Sequence, residues 1–158
     1  MLILVEGPDG AGKSTLCSEL YKRNCVHVKA EISRFQDDVF GLYLDLAKTE
    51  KVVLLDRSFI SDLVYRIQDG NSSETMSLRK MCDILKRCKI IHCYNDEAFN
   101  DAMTRGEDNI VDENIHCELH KIYVYVMRMI ETFTTTEVFH YNHYYDSIDD
   151  VIEFIRKE

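Results

Sequence analysis

The residues "GPDGAGKS", from Gly7 to Ser14, have the composition of a loop that binds a row of phosphate groups. They fit the pattern G-x-x-x-x-G-K-[ST], in which glycines let backbone amides approach an anion closely. Lys13 supplies a cation for the β- and γ-phosphates, and the Ser14 hydroxyl supplies a ligand for Mg²⁺. The pattern therefore predicts a site for ATP and Mg²⁺, whose nucleotide-binding residues are Gly7, Gly10, Ala11, Gly12, Lys13, Ser14 and Thr15.

The neighbouring residues place this loop between a strand and a helix, which is the context a phosphate loop requires. Residues 2–5 form an apolar run of the length of a buried strand, and apolar residues recur at helical spacing over 16–21. The alternative is a glycine-rich turn between two core elements. Such a turn does not account for Lys13 and Ser14 at its exit.

Apolar periodicity along the rest of the chain predicts alternating strands and helices. The predicted strands are 2–5, 25–28, 51–55, 89–94 and 137–141, and the predicted helices are 13–23, 34–48, 58–68, 74–88, 96–104, 113–132 and 148–157. Strands that alternate with helices indicate right-handed crossovers and a parallel sheet. We therefore expect one α/β domain over 1–158, with a five-stranded parallel sheet and helices on both faces, a three-layer fold of the P-loop NTPase type.

Three of the predicted helices carry apolar stripes, and two have candidate N-caps at Asp112 and Ser147. The stripes are Leu78, Met81, Cys82 and Leu85; Ile148, Val151, Ile152 and Ile155; and Ile115, Leu119, Ile122, Val126, Met129 and Phe133. Because ligands of such sheets bind beyond the carboxyl ends of the strands, the loops after the strands are the places to look for chemistry.

The third predicted strand ends in Asp56 and Arg57, within "KVVLLDRSF". An acidic residue at this place is the expected partner of a phosphate loop, where it holds Mg²⁺. A guanidinium beside it can bind phosphate oxygens in a bidentate way. The alternatives are a helix N-cap for Asp56 and a solvated surface role for Arg57.

The stretches "LILVEGPDGAGKSTL", "VVLLDRSFISDLVYR" and "TRGEDNIVDENI" together resemble the thymidylate kinase-like P-loop kinases, in particular the short deoxynucleoside monophosphate kinases of phage and viral type. The family's D-R-x-x-x-S-x-x-x-Y pattern stands here as Asp56, Arg57, Ser61 and Tyr65. The resemblance implies that Asp56 organises Mg²⁺, that Arg57 binds the acceptor phosphate, and that Asp9 contacts the acceptor sugar or the metal shell.

The acceptor pocket departs from the family pattern. Thymidylate kinases usually carry R-E-P-G-G after the second strand, where this chain has "VKAEISRFQDD". Phe35 could stack on a base and Arg34 could bind its edge or its phosphate, with Tyr65 and Arg66 as further candidates for acceptor binding. Each of these residues also fits a role in the core or on a helix surface.

The resemblance also implies a lid around 104–112, in "TRGEDN". Because phosphoryl transfer spreads negative charge over the migrating group, an arginine there would stabilise it, and Arg105 is the candidate. Gly106 would allow the lid to hinge and Asp108 could orient the arginine. The alternative is that Arg105 and Gly106 only end a helix.

The segment "HYNHYY" follows the fifth predicted strand, where the family has its adenine loop. Tyr141 and Asn142 could flank the donor base by stacking and backbone contact, or they could be ordinary core and surface residues. His140 and His143 invite a metal interpretation, but no third ligand lies near them in the sequence.

The composition limits the partners. The chain has 158 residues, a formal net charge of −9 and no basic stripe, so stable binding of nucleic acid is not expected. No apolar stretch reaches membrane-spanning length, and no signal peptide is expected before a strand that begins at residue 2. Six scattered cysteines without a C-x-x-C pair favour reduced thiols in the cytoplasm, which would be the host cytoplasm for a viral protein. Homodimerisation is left open.

Several functions compete at this point. A monophosphate kinase, acting on dTMP or a related nucleotide, needs clamping and charge neutralisation but no strong base. A deoxynucleoside kinase attacks with a 5′-hydroxyl and gains from a carboxylate base, for which Glu31 is the candidate. A kinase of modified bases in DNA and a nucleotide-binding switch without transfer are the remaining alternatives. The Asp56–Arg57 pair favours the monophosphate kinase.

Overall fold

The computed structural model describes residues 1–30, 38–70, 77–95, 97, 100, 103–104 and 113–157. Strands and helices alternate along these residues. The elements are β1 (Leu2–Glu6), α1 (Lys13–Lys22), β2 (Val28–Ala30), α2 (Val39–Lys48), β3 (Val53–Asp56), α3 (Phe59–Gln68), α4 (Leu78–Leu85), β4 (Cys88–Cys93), α5 (Glu113–Phe133), β5 (Val138–Tyr141) and α6 (Ile148–Arg156). The prediction of an α/β fold with a parallel sheet and helices is confirmed.

The sheet has the strand order β2-β3-β1-β4-β5, and each neighbouring pair is parallel. The central strand β1 lies between β3 and β4. Its register pairs Val5 with Asp56 and Glu6 with His92. The carboxyl ends of three strands therefore meet just where β1 runs into the predicted phosphate loop.

The two faces of the sheet pack against different helices because successive side chains of a strand point to opposite sides. Leu2, Leu4 and Ile90 lie in a core with residues of α2, α3, α4 and α5. Ile3 and Val5 lie in a second core with residues of α1 and α6. Helices therefore cover both faces, as expected of a parallel sheet.

Several boundaries differ from the sequence-based prediction. The second strand was predicted at 25–28 but runs from Val28 to Ala30, because the chain first turns at Asn24, where φ is +55°. Helix α2 begins at Val39, since the Asp38 side chain caps it by accepting from the amide of Gly41 at 2.8 Å. The predicted helix at 74–88 is shorter, from Leu78 to Leu85.

The predicted core face of α5 is right at its middle and wrong at its ends. Leu119 and Val126 are buried as predicted, whereas Ile115, Met129 and Phe133 are exposed by 43%, 40% and 73%. The buried positions that the stripe lacks are His116, Tyr123, Met127 and Ile130. Apolarity alone misplaces the face because His116 and Tyr123 are buried through hydrogen bonds, which a count of apolar residues does not detect.

The predicted apolar stripe is mostly wrong in α4 and mostly confirmed in α6. In α4, Leu78 is 73% exposed and Cys82 is also exposed, and the buried residues are Ile84 and Leu85. In α6, Val151, Ile152 and Ile155 are buried as predicted. Ser147 caps α6 in a full capping box with Asp150.

Other expectations fall partly or wholly outside the described residues. They include the N-cap Asp112, most of the helix at 96–104 and most of the lid at 104–112. All six cysteines lie in the described part of the chain and are free thiols. Among the described helices, none has the length and apolarity to cross a membrane.

Candidate active site

The loop between β1 and α1 has the backbone of an anion-binding loop. Gly7, Gly10 and Gly12 have φ values of +143°, +82° and +84°, which only glycine adopts without strain. A Cβ at Gly7 would lie 2.1 Å from the backbone oxygen of Cys93, so β4 leaves no room for a side chain. Gly12 is the N-cap of α1 and makes no side-chain cap bond, which leaves the first amides of the helix to an anion.

Lys13 is buried inside this loop, with 6% of its surface exposed. Its Nζ donates to the backbone oxygen of Pro8 at 2.6 Å. Burial, together with the positive charge of Arg57, lowers the pKa of Lys13 to about 8. A partly desolvated ammonium of this kind gains more from a phosphate than a solvated surface lysine would.

Ser14 and Asp56 lie side by side at the carboxyl ends of β1 and β3. The Ser14 hydroxyl donates to Oδ2 of Asp56 at 3.0 Å. A hydroxyl and a carboxylate are a donor set suited to Mg²⁺, which is usually held by one or two carboxylates together with waters and substrate phosphates. Within the described ranges no group of three or more His, Cys, Asp or Glu residues could hold a metal by itself.

Three side chains that are distant in the sequence, Asp9, Arg57 and Tyr65, form one group beside the loop, which we call the Arg57 cluster. Nη2 of Arg57 pairs with the Asp9 carboxylate, and Nη1 donates to the Tyr65 hydroxyl at 3.2 Å. The same hydroxyl donates to Asp9 at 3.2 Å, and the guanidinium lies 5.6 Å from the centre of the Tyr65 ring. The structure thus brings together three residues predicted to serve the acceptor.

A second set of polar residues is buried at the end of β1 and the start of α3. Glu6 is 0% exposed, and its carboxylate accepts from the hydroxyls of Ser58 and Ser61. Ser61 also accepts from the Tyr123 hydroxyl at 2.8 Å. Ser61 was predicted to bind substrate. It is only 2% exposed, and its hydroxyl bonds to Glu6 and Tyr123.

Sequence reasoning missed Glu6, Tyr123 and His116 as site residues. His116 donates from Nε2 to the backbone oxygen of Asp9 at 2.7 Å and so fixes the loop from α5. Glu6 had a visible signal, since it is a charged residue at the end of an apolar strand. His116 and Tyr123 had none, because each lies more than fifty residues from its partner in the chain.

Of the remaining acceptor candidates, the structure describes only Arg66. Arg66 forms an ion pair with Asp62 at 3.0 Å, one turn earlier on α3. Arg34, Phe35, Glu31 and Arg105 lie outside the described residues, as do the lid residues Gly106 and Asp108.

A cavity of about 300 Å³ lies on the other side of the loop, next to α1 and the segment after β5. Its lining residues are Gly10, Gly12, Thr15, Leu16, Thr104, Tyr141, His143, Tyr144 and Ile148. Tyr141 therefore faces the predicted donor side. The His143 and Tyr144 rings, whose centres are 4.2 Å apart, add an aromatic wall that sequence reasoning did not assign to the nucleotide.

Asn142 and His140 have other surroundings than the sequence suggested. Asn142 is 3% exposed and shapes the turn: its side chain accepts from the amide of Tyr144 at 3.1 Å. His140 contacts His92 on β4, with 3.0 Å between the Nδ1 atoms, and Glu131 on α5. His143 instead packs on Tyr144 and beside Gly12, so His140 and His143 have different neighbours.

Comparison with solved structures identifies the architecture. The fold matches YorR from Bacillus subtilis, solved with phosphorylated GDP, at a TM-score of 0.71 and 21% identity over 98% of this chain and 93% of that one. It also matches deoxyadenosine kinase from M. mycoides with bound dATP, at 0.63 and 18% over 99% and 100%. Shikimate kinase from Acinetobacter baumannii matches at 0.55 and 14% over 98% and 89%. Neither family models nor curated proteins gave a match.

The chain has a kinase-like fold. At these identities the likeness shows the fold alone. Three predicted site features lie at the carboxyl end of the sheet, where ligands of such sheets bind. They are the glycine-rich loop after β1, the Asp56–Arg57 pair after β3 and the aromatic segment after β5.

Proposed function

We propose that the protein is an ATP- and Mg²⁺-dependent kinase that transfers a phosphoryl group to a deoxynucleoside monophosphate such as dTMP and produces the diphosphate. The observation that carries this proposal is the Arg57 cluster. It places a second cation, held by Asp9 and Tyr65, next to a loop that already contains Lys13. A cleft with two separate cations suits two phosphate-bearing substrates.

The donor half of the proposal uses the loop and the aromatic cavity. The amides of the loop and Lys13 bind the β- and γ-phosphates, and the base of ATP enters the cavity beside Tyr141 and Thr15. Asn142 contributes through the turn that it holds. Ser14 and Asp56 would hold Mg²⁺, which would neutralise negative charge on the transferred phosphoryl group.

The acceptor half uses Arg57. A guanidinium can hold two oxygens of one phosphate group, and exchange of its partner from Asp9 to the substrate would release the Asp9 carboxylate for the acceptor sugar or the metal shell. The attacking atom is then a phosphate oxygen that is already ionised, so no general base is needed. Arg34, Phe35 and Arg66 are further proposed acceptor contacts, and Arg105 is the proposed lid cation on the migrating group.

A second candidate is a deoxynucleoside kinase that phosphorylates a 5′-hydroxyl. The fold similarity to the deoxyadenosine kinase from M. mycoides favours it. In this reaction a carboxylate base would accept the hydroxyl proton, and Glu31 is the proposed base. The two candidates predict opposite roles for Arg57 and Glu31.

The deciding experiment measures phosphorylation of the four deoxynucleosides and of their 5′-monophosphates with ATP and Mg²⁺. We expect at least one monophosphate, dTMP first, to be a substrate and its nucleoside to be inert. Arg57→Ala should raise the KM for the monophosphate on the order of a hundredfold, because a phosphate buried without its partner costs a few kcal/mol. Glu31→Gln should be mild.

Arg23→Ala serves as the matched control, since Arg23 lies in an exposed ion pair with Asp149 at 2.8 Å on the surface. It should leave both KM values unchanged. Phosphorylation of a nucleoside with a crippling effect of Glu31→Gln would replace the proposal by the second candidate. No transfer to any acceptor by the folded protein would reject both.

A further inference from the structure

Glu6 is a buried carboxylate with no part in the proposed transfer. It is the last residue of β1 and is 0% exposed. Burial raises the pKa of Glu6, while the hydroxyls of Ser58 and Ser61 and the charges of Arg57 and Lys13 oppose that rise. A carboxyl group in this place is costly to desolvate, and an apolar residue would pack there more cheaply. Its presence therefore calls for a specific contact.

The contacts of Glu6 converge on the start of α3. One carboxylate oxygen accepts from Ser58, which is the N-cap of the helix, and the other accepts from Ser61 in the first turn. The Ser58 oxygen also accepts from the amide of Ile60 at 3.2 Å. The Ser61 oxygen accepts from Tyr123 of α5 at 2.8 Å. The strand end, α3 and α5 are thus joined at one carboxylate.

Two hydrogen bonds to the end of β1 flank the Arg57 side chain. Its amide donates to the backbone oxygen of Val5 at 2.9 Å, and the next residue, Ser58, donates to Glu6. Between the two, Arg57 has φ +72°, a left-handed conformation that is strained for a residue with a long side chain. Such a conformation persists only where the surroundings fix it.

We propose that Glu6 is a positioning residue for Arg57: by holding Ser58 and Ser61 at the end of β1, it fixes the turn from which the Arg57 guanidinium reaches the acceptor phosphate. This inference rests on the proposed function for its kinetic consequence. Glu6 is fully buried and contacts neither substrate in this proposal.

The test is Glu6→Gln, which keeps the shape but replaces one accepting oxygen with an NH₂ group. We expect the KM for the monophosphate to rise at least tenfold and the KM for ATP to change less than twofold. Ser58→Ala should shift the same KM in the same direction by about threefold. If Glu6→Gln fails to fold, Ser58→Ala and Ser61→Ala decide the question by that same split.

Thr136→Val is the matched control for a merely structural effect. Thr136 is 7% exposed, and its hydroxyl donates to the backbone oxygen of Leu85 at 2.8 Å, away from the Arg57 cluster. Its loss should lower the Tm while both KM values stay unchanged. Equal KM values in folded Glu6→Gln and wild type, or a KM rise in Thr136→Val like that in Glu6→Gln, would overturn the inference.

A second readout does not depend on activity. The side-chain Nε–Hε signal of Arg57, assigned by its loss in Arg57→Lys, reports the surroundings of the guanidinium in the protein alone. We expect the signal to shift in Glu6→Gln and to remain in place in Thr136→Val. An unchanged signal in folded Glu6→Gln would reject the positioning role, whereas absence of kinase activity in the wild type would reject only the proposed function.

Discussion

The phosphate loop and the Arg57 cluster lie side by side at the carboxyl end of the sheet, but different kinds of contact hold them. The loop is shaped by its own backbone: three glycines have positive φ, and Lys13 donates to Pro8 only five residues away. In the Arg57 cluster, Arg57 and Tyr65 contact Asp9 across 48 and 56 residues, and His116 holds the backbone oxygen of Asp9 across 107 residues. Local backbone conformation shapes most of the proposed donor site, whereas the proposed acceptor site depends mainly on tertiary contacts, which reach the loop at Asp9.

This difference has a functional meaning under the proposed activity. A site shaped mainly by a contiguous loop depends on few residues elsewhere, here Cys93 beside Gly7 and His116 beside Asp9. A site fixed by α3, α5 and two strands depends on the packing of all four. Mutations in the core should therefore disturb acceptor binding more readily than donor binding.

The largest effect is expected from Lys13→Ala, which removes the central cation of the loop. We expect kcat to fall on the order of a thousandfold, because a charge aimed at the transferred phosphoryl group is lost. The fold should persist, since Lys13 is a buried charge whose removal relieves a desolvation cost. Steady-state kinetics with circular dichroism on the same sample measures both. Near-normal turnover by a folded variant would remove the loop from the reaction.

Gly7→Ala has the next largest expected effect and tests how closely β4 confines the loop. The new Cβ would lie 2.1 Å from the Cys93 oxygen, so the loop or β4 must move. We expect a loss of about 3 kcal/mol in the free energy of unfolding, measured by urea denaturation.

Gly70→Ala is the matched control for Gly7→Ala. Gly70 has φ +65° but nothing within 4 Å of its Cβ position, so only the conformational cost applies, about 1 kcal/mol. Equal losses for the two variants would show that contact with β4 does not determine the loop.

These two regions also explain what the sequence could predict. The loop, Ser14, Asp56 and the order of elements follow from contiguous patterns, and the structure brings Ser14 and Asp56 together. The α/β class follows in the same way from periodicity. The predicted face of α5 was only partly right, since Leu119 and Val126 are buried but His116 and Tyr123, whose partners lie on other elements, were not included.

Glu6 and Ser61 show the same limit within the site. The family pattern predicts that Ser61 contacts substrate, and the structure places its hydroxyl against Glu6 and Tyr123. A pattern reports which residue types recur, and it does not distinguish a residue that touches a ligand from one that supports its neighbour.

The pH dependence of ATP binding tests the role of Lys13 in the loop. Because burial lowers the pKa of Lys13 to about 8, the free protein loses this charge between pH 7 and 9. If only the charged form binds phosphate well, ATP affinity should fall about tenfold over that range. Titration calorimetry at constant Mg²⁺ measures this, and Lys13→Ala should lack the dependence. An equally steep fall in Lys13→Ala would assign the titration to another group.

The smallest effect is expected from Tyr65→Phe, which removes one hydroxyl from the Arg57 cluster and leaves the ring. The hydroxyl accepts from Arg57 and donates to Asp9, both at 3.2 Å, while the ion pair and the ring contact of Arg57 remain. One lost hydrogen bond of this kind is worth about 1 kcal/mol, so the KM for the monophosphate should rise roughly fivefold. The KM for ATP should stay unchanged, because no contact of Lys13 or Ser14 is removed. Tyr65→Leu also removes the ring and should have the larger effect on the same KM. Equal shifts in both KM values would mean that donor and acceptor sites share one support, contrary to the separation between a loop fixed locally and a cluster fixed by packing.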